Sequence, residues 1–230
     1  MVSRLRIQKD SDEIECIKKA SSRAAEIIEG LEISDLKGKK ESEIASLLTG
    51  SSWRNGCSGV AFDPVVAGGK NTAYPHHLPG EDKITSGWVK IDFGLRYKGY
   101  CSDLTRMFIL SKFVNNVDSY NMLSVLKEAK QKGVDMLKPG VRCSDIYIEV
   151  KKHLDEHDIG KYFIHSLGHG VGIDVHEKPY LKRNSKTILK QSMVVTVEPG
   201  FYIPGVGGMR LEDTYLITNK GRERLTRIYQ

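Results

Sequence analysis

The apolar positions of this chain switch from a helical period to a strand period, and do so twice. Over residues 10–29, Ile14, Ile17, Ala20, Ala24 and Ile27 recur every three or four positions, the spacing of one helical face. Asp10 precedes the stripe and Glu13 follows three residues later, a capping-box pattern, with Gly30 as the stop. A shorter helix is predicted over 41–49, ending near Gly50. Residues 58–67 read as a strand, and Gly68-Gly69 turns the chain. Residues 87–94 and 99–110 are two β-rich apolar runs, and the polar break Arg96-Tyr97-Lys98-Gly99 predicts a hairpin. Helical periodicity returns over 117–137, closed by Pro139-Gly140, and over about 144–157, with Ser144 as the expected cap and Gly160 beyond the end. Short strands and glycine turns make up the rest. Helices then strands, twice over, predict an α+β architecture rather than a parallel α/β one.

Composition narrows this only a little. The chain has 230 residues, 40% hydrophobic and 28% charged, as in an ordinary globule. No linker or low-complexity run divides it, so one domain over 1–230 is expected. No stretch approaches the roughly 20 apolar residues that cross a bilayer, and the N-terminus lacks the apolar core of a signal peptide. Membrane association is therefore not expected. Cys16, Cys57, Cys101 and Cys143 are scattered, which suits reduced thiols and a cytoplasmic location. The net charge of +6 is dispersed; its densest cluster (Lys37, Lys39, Lys40) meets Glu41 and Glu43 at once, so no nucleic-acid partner is expected.

The chemistry lies in acidic residues and histidines set in apolar or glycine-rich stretches, where an unpaired charge is costly to bury. Asp92 and Asp103 stand on the two arms of the predicted hairpin, eleven residues apart. A turn at their midpoint would bring them face to face, about 5 Å apart. Their repulsion there is removed by a cation. Further on come His165, His169 and His176 among Gly168, Gly170 and Gly172, then Glu198 and Glu212. Only one of these histidines need bind metal; the others are suited to proton transfer and to hydrogen bonds with a substrate carbonyl. Four carboxylates and one imidazole suit two divalent ions such as Mn²⁺ or Co²⁺. Two ions ~3.5–4 Å apart lower the pKa of a shared water towards ~7, giving a hydroxide nucleophile and metal-assisted hydrolysis. Glu198 or Glu212 could bridge them. His153 and His157, four apart on a polar helix face, read as solvated, with a weak metal site as the alternative. Tyr180, Phe201 and Tyr202 read as ordinary packing, with aromatic walls for a proline ring as the alternative.

The order Asp, Asp, His, Glu, Glu, in these contexts, resembles the pita-bread metallopeptidases, which include methionine aminopeptidase, aminopeptidase P and prolidase. The likeness runs from Arg6-Ile7-Gln8-Lys9 to the C-terminus. It implies a pseudo-symmetric antiparallel sheet with helices on its outer face, and Asp92, Asp103, His169, Glu198 and Glu212 as metal ligands, Asp103 and Glu212 being shared most closely. Ser102-Asp103-Leu104-Thr105-Arg106, Arg210-Leu211-Glu212-Asp213-Thr214 and His165 resemble the Xaa-Pro branch; methionine aminopeptidases usually carry glutamine in place of Arg210. The branch implies a peptide substrate cleaved between an N-terminal residue and proline. It also implies His76, His165 and His176 near substrate, Glu198 as proton shuttle, and Arg210 as organiser of the carboxylates. Most members carry a sizeable N-terminal domain before the region matched here, which this sequence leaves out. That domain helps assemble dimers and limits peptide length, so a homodimer and the choice between aminopeptidase and dipeptidase stay open. Methionine aminopeptidase and a catalytically silent peptide-binding module are the competing readings.

Overall fold

In the computed structural model, which describes residues 5–228, α1 spans Ser11–Glu29 and starts on the expected device. Asp10 accepts from the amides of Asp12 and Glu13, while Glu13 reaches back to the Asp10 amide at 2.9 Å. Ile17, Ala20, Ala24 and Ile28 are buried along one face. After a single turn, α2 (Ile33–Leu36), α3 covers Glu41–Arg54 and runs through Gly50 rather than stopping there. One helical glycine costs only ~1 kcal/mol. Burial of Leu48 and Ser52 on either side of it holds the helix until Asn55.

The segment expected as one strand over 58–67 is two. Gly59–Val60 pairs with Leu95 and Arg96, and β1 (Val65–Gly68) pairs with β2 (Trp88–Phe93). Pro64 lies in the break, where a residue without an N–H cannot continue a ladder. With β3 (Leu104–Ile109) they form an antiparallel sheet in the order β1-β2-β3. The second half repeats the plan. Helix α4 (Ser119–Asp135) is capped by Asp118, whose carboxylate accepts from the amides of Tyr120 and Asn121. Helix α5 is Cys143–Glu156. Its cap position is Arg142, two residues before the expected Ser144, because Arg142 is held extended by a bridge to Ile188. Strands β4 (Gly168–Gly170), β5 (Glu177–Leu181), β6 (Val194–Val197), β9 (Asp213–Ile217) and β10 (Arg222–Arg224) form a sheet in the order β5-β4-β6-β9-β10. Between β6 and β9 lies a hairpin of β7 (Gly200–Ile203) and β8 (Gly207–Arg210). Every strand pair among the described residues is antiparallel, as the α+β expectation requires.

Helices α4 and α5 cover the second half, packing Leu126, Ala129, Ile146, Val150 and Leu154 with Val195, Val197 and Phe201. His153 is part of this layer, only 5% exposed, whereas His157 is exposed. The expectation that both are solvated is therefore half wrong: position 153 follows Val150 and Leu154 on the inner side of α5.

The register of the first sheet also corrects an expectation. Asp92 pairs with Thr105 and Phe93 with Leu104, so Asp103 lies diagonal to Asp92 rather than opposite it. The cause is the turn. Tyr97 pairs with Tyr100 across Lys98 and Gly99, whose φ values are 48° and 87°. Positive φ at both central residues is the twist-compatible hairpin turn that favours glycine second, and it sits one residue past the midpoint. A shift of one residue at the turn moves the pairing by two, so both aspartates stay on one face. Beside them, a Cβ on Gly94 would sit 2.1 Å from the Ser102 carbonyl oxygen and 2.8 Å from the Phe62 ring. Gly94→Ala is expected to lower stability by about 1–3 kcal/mol through overpacking, read from the denaturant midpoint, and to weaken divalent-ion binding alongside.

Candidate metal centre

Strand ends supply the donors. Asp92 is the last residue but one of β2, Asp103 immediately precedes β3, His169 is central in β4, Glu198 follows β6, and Glu212 immediately precedes β9. Thr105 in β3 bridges Glu212, which ties the two halves together. Donor atoms of Asp92, Asp103 and Glu212 lie within 4.8 Å of one another, and so do those of His169, Glu198 and Glu212 and those of Asp103, His169 and His176. All five expected ligands are thus brought together, with His176 as a sixth donor at the rim.

Hydrogen bonds fix which atoms face the centre. His169 Nδ1 donates to its neighbour's carbonyl, Gly170 O, at 3.1 Å. This turns Nε2 towards the carboxylates, 3.2 Å from Glu198 Oε1 and 3.5 Å from Asp103 Oδ2. In the metal-free protein burial is outweighed by the Glu198 carboxylate, which raises the His169 pKa, and Nε2–H donates to it. Loss of that proton frees the lone pair for an ion. Thr196 Oγ1 donates to Glu198 Oε1 at 3.3 Å. A Cβ on Gly168 would lie 2.0 Å from the Thr196 carbonyl oxygen, so only glycine lets β4 come this close to β6. Arg210 spans the other side. Its Nη2 meets Asp92 Oδ2, its Nε donates to Thr105 Oγ1 at 3.0 Å, and Thr105 donates to Glu212 Oε2 at 2.6 Å. The Glu212 carbonyl accepts from Arg106 Nη1 at 2.7 Å. Asp213 then sits in a separate buried cluster with Arg106, Lys130 and Arg224.

The carboxylates have too little positive charge around them. Burial, followed by the charges of Glu212, Asp92 and Glu198, pushes Asp103 well above the usual aspartate range. Burial, then Glu198 and Asp92, pushes Glu212 up to about 8. Burial acts the same way on Glu198, but the hydrogen bond and charge of His169 outweigh it and hold Glu198 ionised. Asp92 Oδ1 and Glu212 Oε1 are buried without a hydrogen-bond partner among the described residues. Lone pairs of this kind fit divalent cations, and the oxygen-rich donor set suits hard or borderline ions.

The remaining predicted residues separate into two places. His76 and His176 line a cleft of ≈ 200 Å³ over the carboxylates, with Phe62, Val65, His77 and Leu78. His165 does not line it. Burial lowers the His165 pKa, so the ring is neutral. Its Nδ1–H donates to Ser166 O at 2.7 Å, and its Nε2 accepts from the Tyr202 hydroxyl at 3.0 Å. Arg210 Nη1 in turn donates to that hydroxyl at 2.9 Å. Tyr202 is therefore part of the support of the centre rather than ordinary packing. Sequence reasoning also missed Thr105, Lys90 and Glu41. Buried Lys90 donates to the carbonyls of Thr72, Tyr74 and Pro75, and buried Glu41 accepts from the Gly68 and Gly80 amides and contacts His77 at 2.7 Å. A lysine inside the apolar run of β2 was the one signal available.

Comparison with known proteins agrees with this geometry. The sequence pattern of metallopeptidase family M24 matches residues 15–219, and the chain belongs to that family. An Xaa-Pro dipeptidase of Pyrococcus furiosus is 38% identical over 228 residues, which cover 99% of this chain and 65% of that protein. The solved prolidase of the same organism superposes with a TM-score of 0.92 at 38% identity, over 100% of this chain and 68% of that one. The Xaa-Pro dipeptidase structure from Bacillus anthracis gives 0.93 at 36% identity, over 100% and 64%. The pita-bread fold expected from the ligand order is the fold of this chain. The chain spans slightly less than two thirds of the curated relative it matches.

The raised carboxyls make the stability of the metal-free protein depend on pH. Folded Glu212 keeps its proton up to about 8, while an unfolded glutamate releases it near 4.5. The contribution is complete below the unfolded value and is lost as pH rises through the folded one. The unfolding midpoint of chelator-treated protein is expected to fall between about pH 5 and pH 8, and saturating Mn²⁺ to remove most of that fall. Thermal unfolding across the range checks both.

Proposed function

We propose that the chain is the catalytic part of a metallo-exopeptidase that removes an N-terminal residue from a following proline. The observation carrying this reading is the cluster of four carboxylates and one imidazole with two orphaned buried oxygens, beneath a cleft with histidines and an apolar wall. Asp92, Asp103, His169, Glu198 and Glu212 hold two divalent ions, Mn²⁺ or Co²⁺. When bound, the ions supply Lewis acidity towards a peptide carbonyl and acidify water. Glu198, kept ionised beside His169, accepts a proton from the attacking water and passes it to the leaving proline nitrogen. His176 touches His169, with ring centroids 4.2 Å apart, and burial lowers its pKa, so near neutral pH it offers an uncharged N–H to the substrate. His76, which lines the same cleft, presents a second imidazole to the substrate. Arg210 offsets Asp92 and Glu212, and His165 steadies Arg210 through Tyr202.

An Xaa-Pro bond is a tertiary amide with a fixed ring and no N–H. Phe62, Val65 and Leu78 give that ring an apolar wall beside the carboxylates. The Xaa-Pro names of the relatives support the same substrate class.

Metal-stripped protein restored with Mn²⁺ or Co²⁺ is expected to release the N-terminal residue from Ala-Pro or Ala-Pro-Ala and not from Met-Ala-Ser. Preference for Met-Ala-Ser would overturn the substrate class. Cleavage of Ala-Pro alone marks a dipeptidase, and cleavage of Ala-Pro-Ala an aminopeptidase. Asp103→Asn should cost at least about 100-fold in turnover, the scale of losing one preorganised group at a reacting centre. His176→Ala should cost about 100-fold while leaving bound metal unchanged; loss of metal in that variant would make His176 a ligand.

A further inference from the structure

The layer of α4 and α5 holds a second group of metal-ligating side chains, none of which lines the cleft. His153 on α5 and His157, the residue that caps the end of that helix, are four residues apart, which brings them to one side of it. Their ring centroids are 4.7 Å apart with planes at 61°. Glu128 reaches them from α4, and one donor atom from each of the three lies within 4.8 Å of the others. His153 Nε2 is buried and has no hydrogen-bond partner among the described residues. An unpaired imidazole nitrogen in such a place costs free energy unless something binds it. Glu128 Oε2, at 3.8 Å, is too far for a hydrogen bond. It is close to the spacing of two donors sharing one ion, roughly 3–3.5 Å for bonds of ~2.1 Å in tetrahedral geometry. The other Glu128 oxygen accepts from Ser124 Oγ at 3.3 Å, which turns Oε2 towards the histidines.

We propose that Glu128, His153 and His157 form a second metal site, selective for a borderline divalent ion of the Zn²⁺ type. Two imidazoles and one carboxylate are a donor set for zinc with a fourth position open to water. Glu128 and His157 are exposed and can close the remaining distance, while His153 is fixed by the core. The ion joins α4 to α5 directly. Residues on both helices pack on the sheet near Glu198: a Cβ at Gly133 of α4 would lie 3.0 Å from Val150 of α5 and 3.2 Å from Val197 of β6. The role that follows is a clip holding the helix layer against the strand that presents Glu198.

The test counts ions and does not depend on any peptidase activity. Chelator-treated wild type, His157→Ala and Glu128→Ala are dialysed against Zn²⁺ and then against metal-free buffer, and metal per chain is measured. The expected result is one equivalent fewer in both variants, with unchanged circular dichroism. Zn²⁺ should also raise the thermal midpoint more in wild type than in either variant. Mn²⁺-restored turnover should be the same in all three. Equal ion counts overturn the proposal, meaning that a water or a proton satisfies His153. Loss of the ion only together with loss of helical signal also overturns it, because His157 and Glu128 would then act in folding rather than ligation.

Discussion

Mutual repulsion among buried carboxylates governs this molecule. Asp92, Asp103, Glu198 and Glu212 converge where water has little access, and one guanidinium and one imidazole stand against four potential negative charges. Removing an isolated charge from water costs many kcal/mol, so such a group persists only if the fold over-determines it. Arg210 is the main internal compensation: it contacts Asp92 directly and Glu212 through Thr105. What it leaves unbalanced appears as carboxyls that hold their protons and oxygens without partners. A site built this way has a strong preference for divalent cations before any geometry of coordination is considered.

The over-determination comes from backbone rather than side chains. Both aspartates belong to the first sheet, and both glutamates with Arg210 belong to the second half. The halves meet at the Thr105–Glu212 bridge, backed by Arg106 on the Glu212 carbonyl. Each donor stands in or next to a strand whose pairing is fixed over several residues. Shifting one donor would mean slipping a whole ladder by two, since a slip of one turns every side chain to the other face.

Much of this was legible in the chain. Helix α1 and its capping box, the hairpin and the α+β plan follow from periodicity and local chemistry. The grouping of the four carboxylates with His169 in particular follows from the resemblance of the ligand order to the pita-bread metallopeptidases. What escaped has three physical causes. The hairpin register depended on where two residues take positive φ, and that choice lies in Lys98-Gly99, not in the positions of the aspartates. Tyr202 and Thr105 are ordinary strand residues by every local measure, and only tertiary pairing places their hydroxyls next to Arg210. His153 sits among Lys152, Asp155 and Glu156 in sequence, yet helical phase carries it inward with Val150 and Leu154.

The segment over residues 72–75 is gripped by buried Lys90 and by Arg210, and every acceptor they use there is a main-chain carbonyl. Carbonyl oxygens are common to all residue types. The grip by Lys90 and Arg210 is therefore blind to which side chains His76 and Leu78 display over the cleft, whereas His77 is tied separately to Glu41 at 2.7 Å. Attachment and display are separate properties here. A change of side chain at position 76 or 78 alters what faces the cleft without touching the carbonyls that fix the segment beneath it.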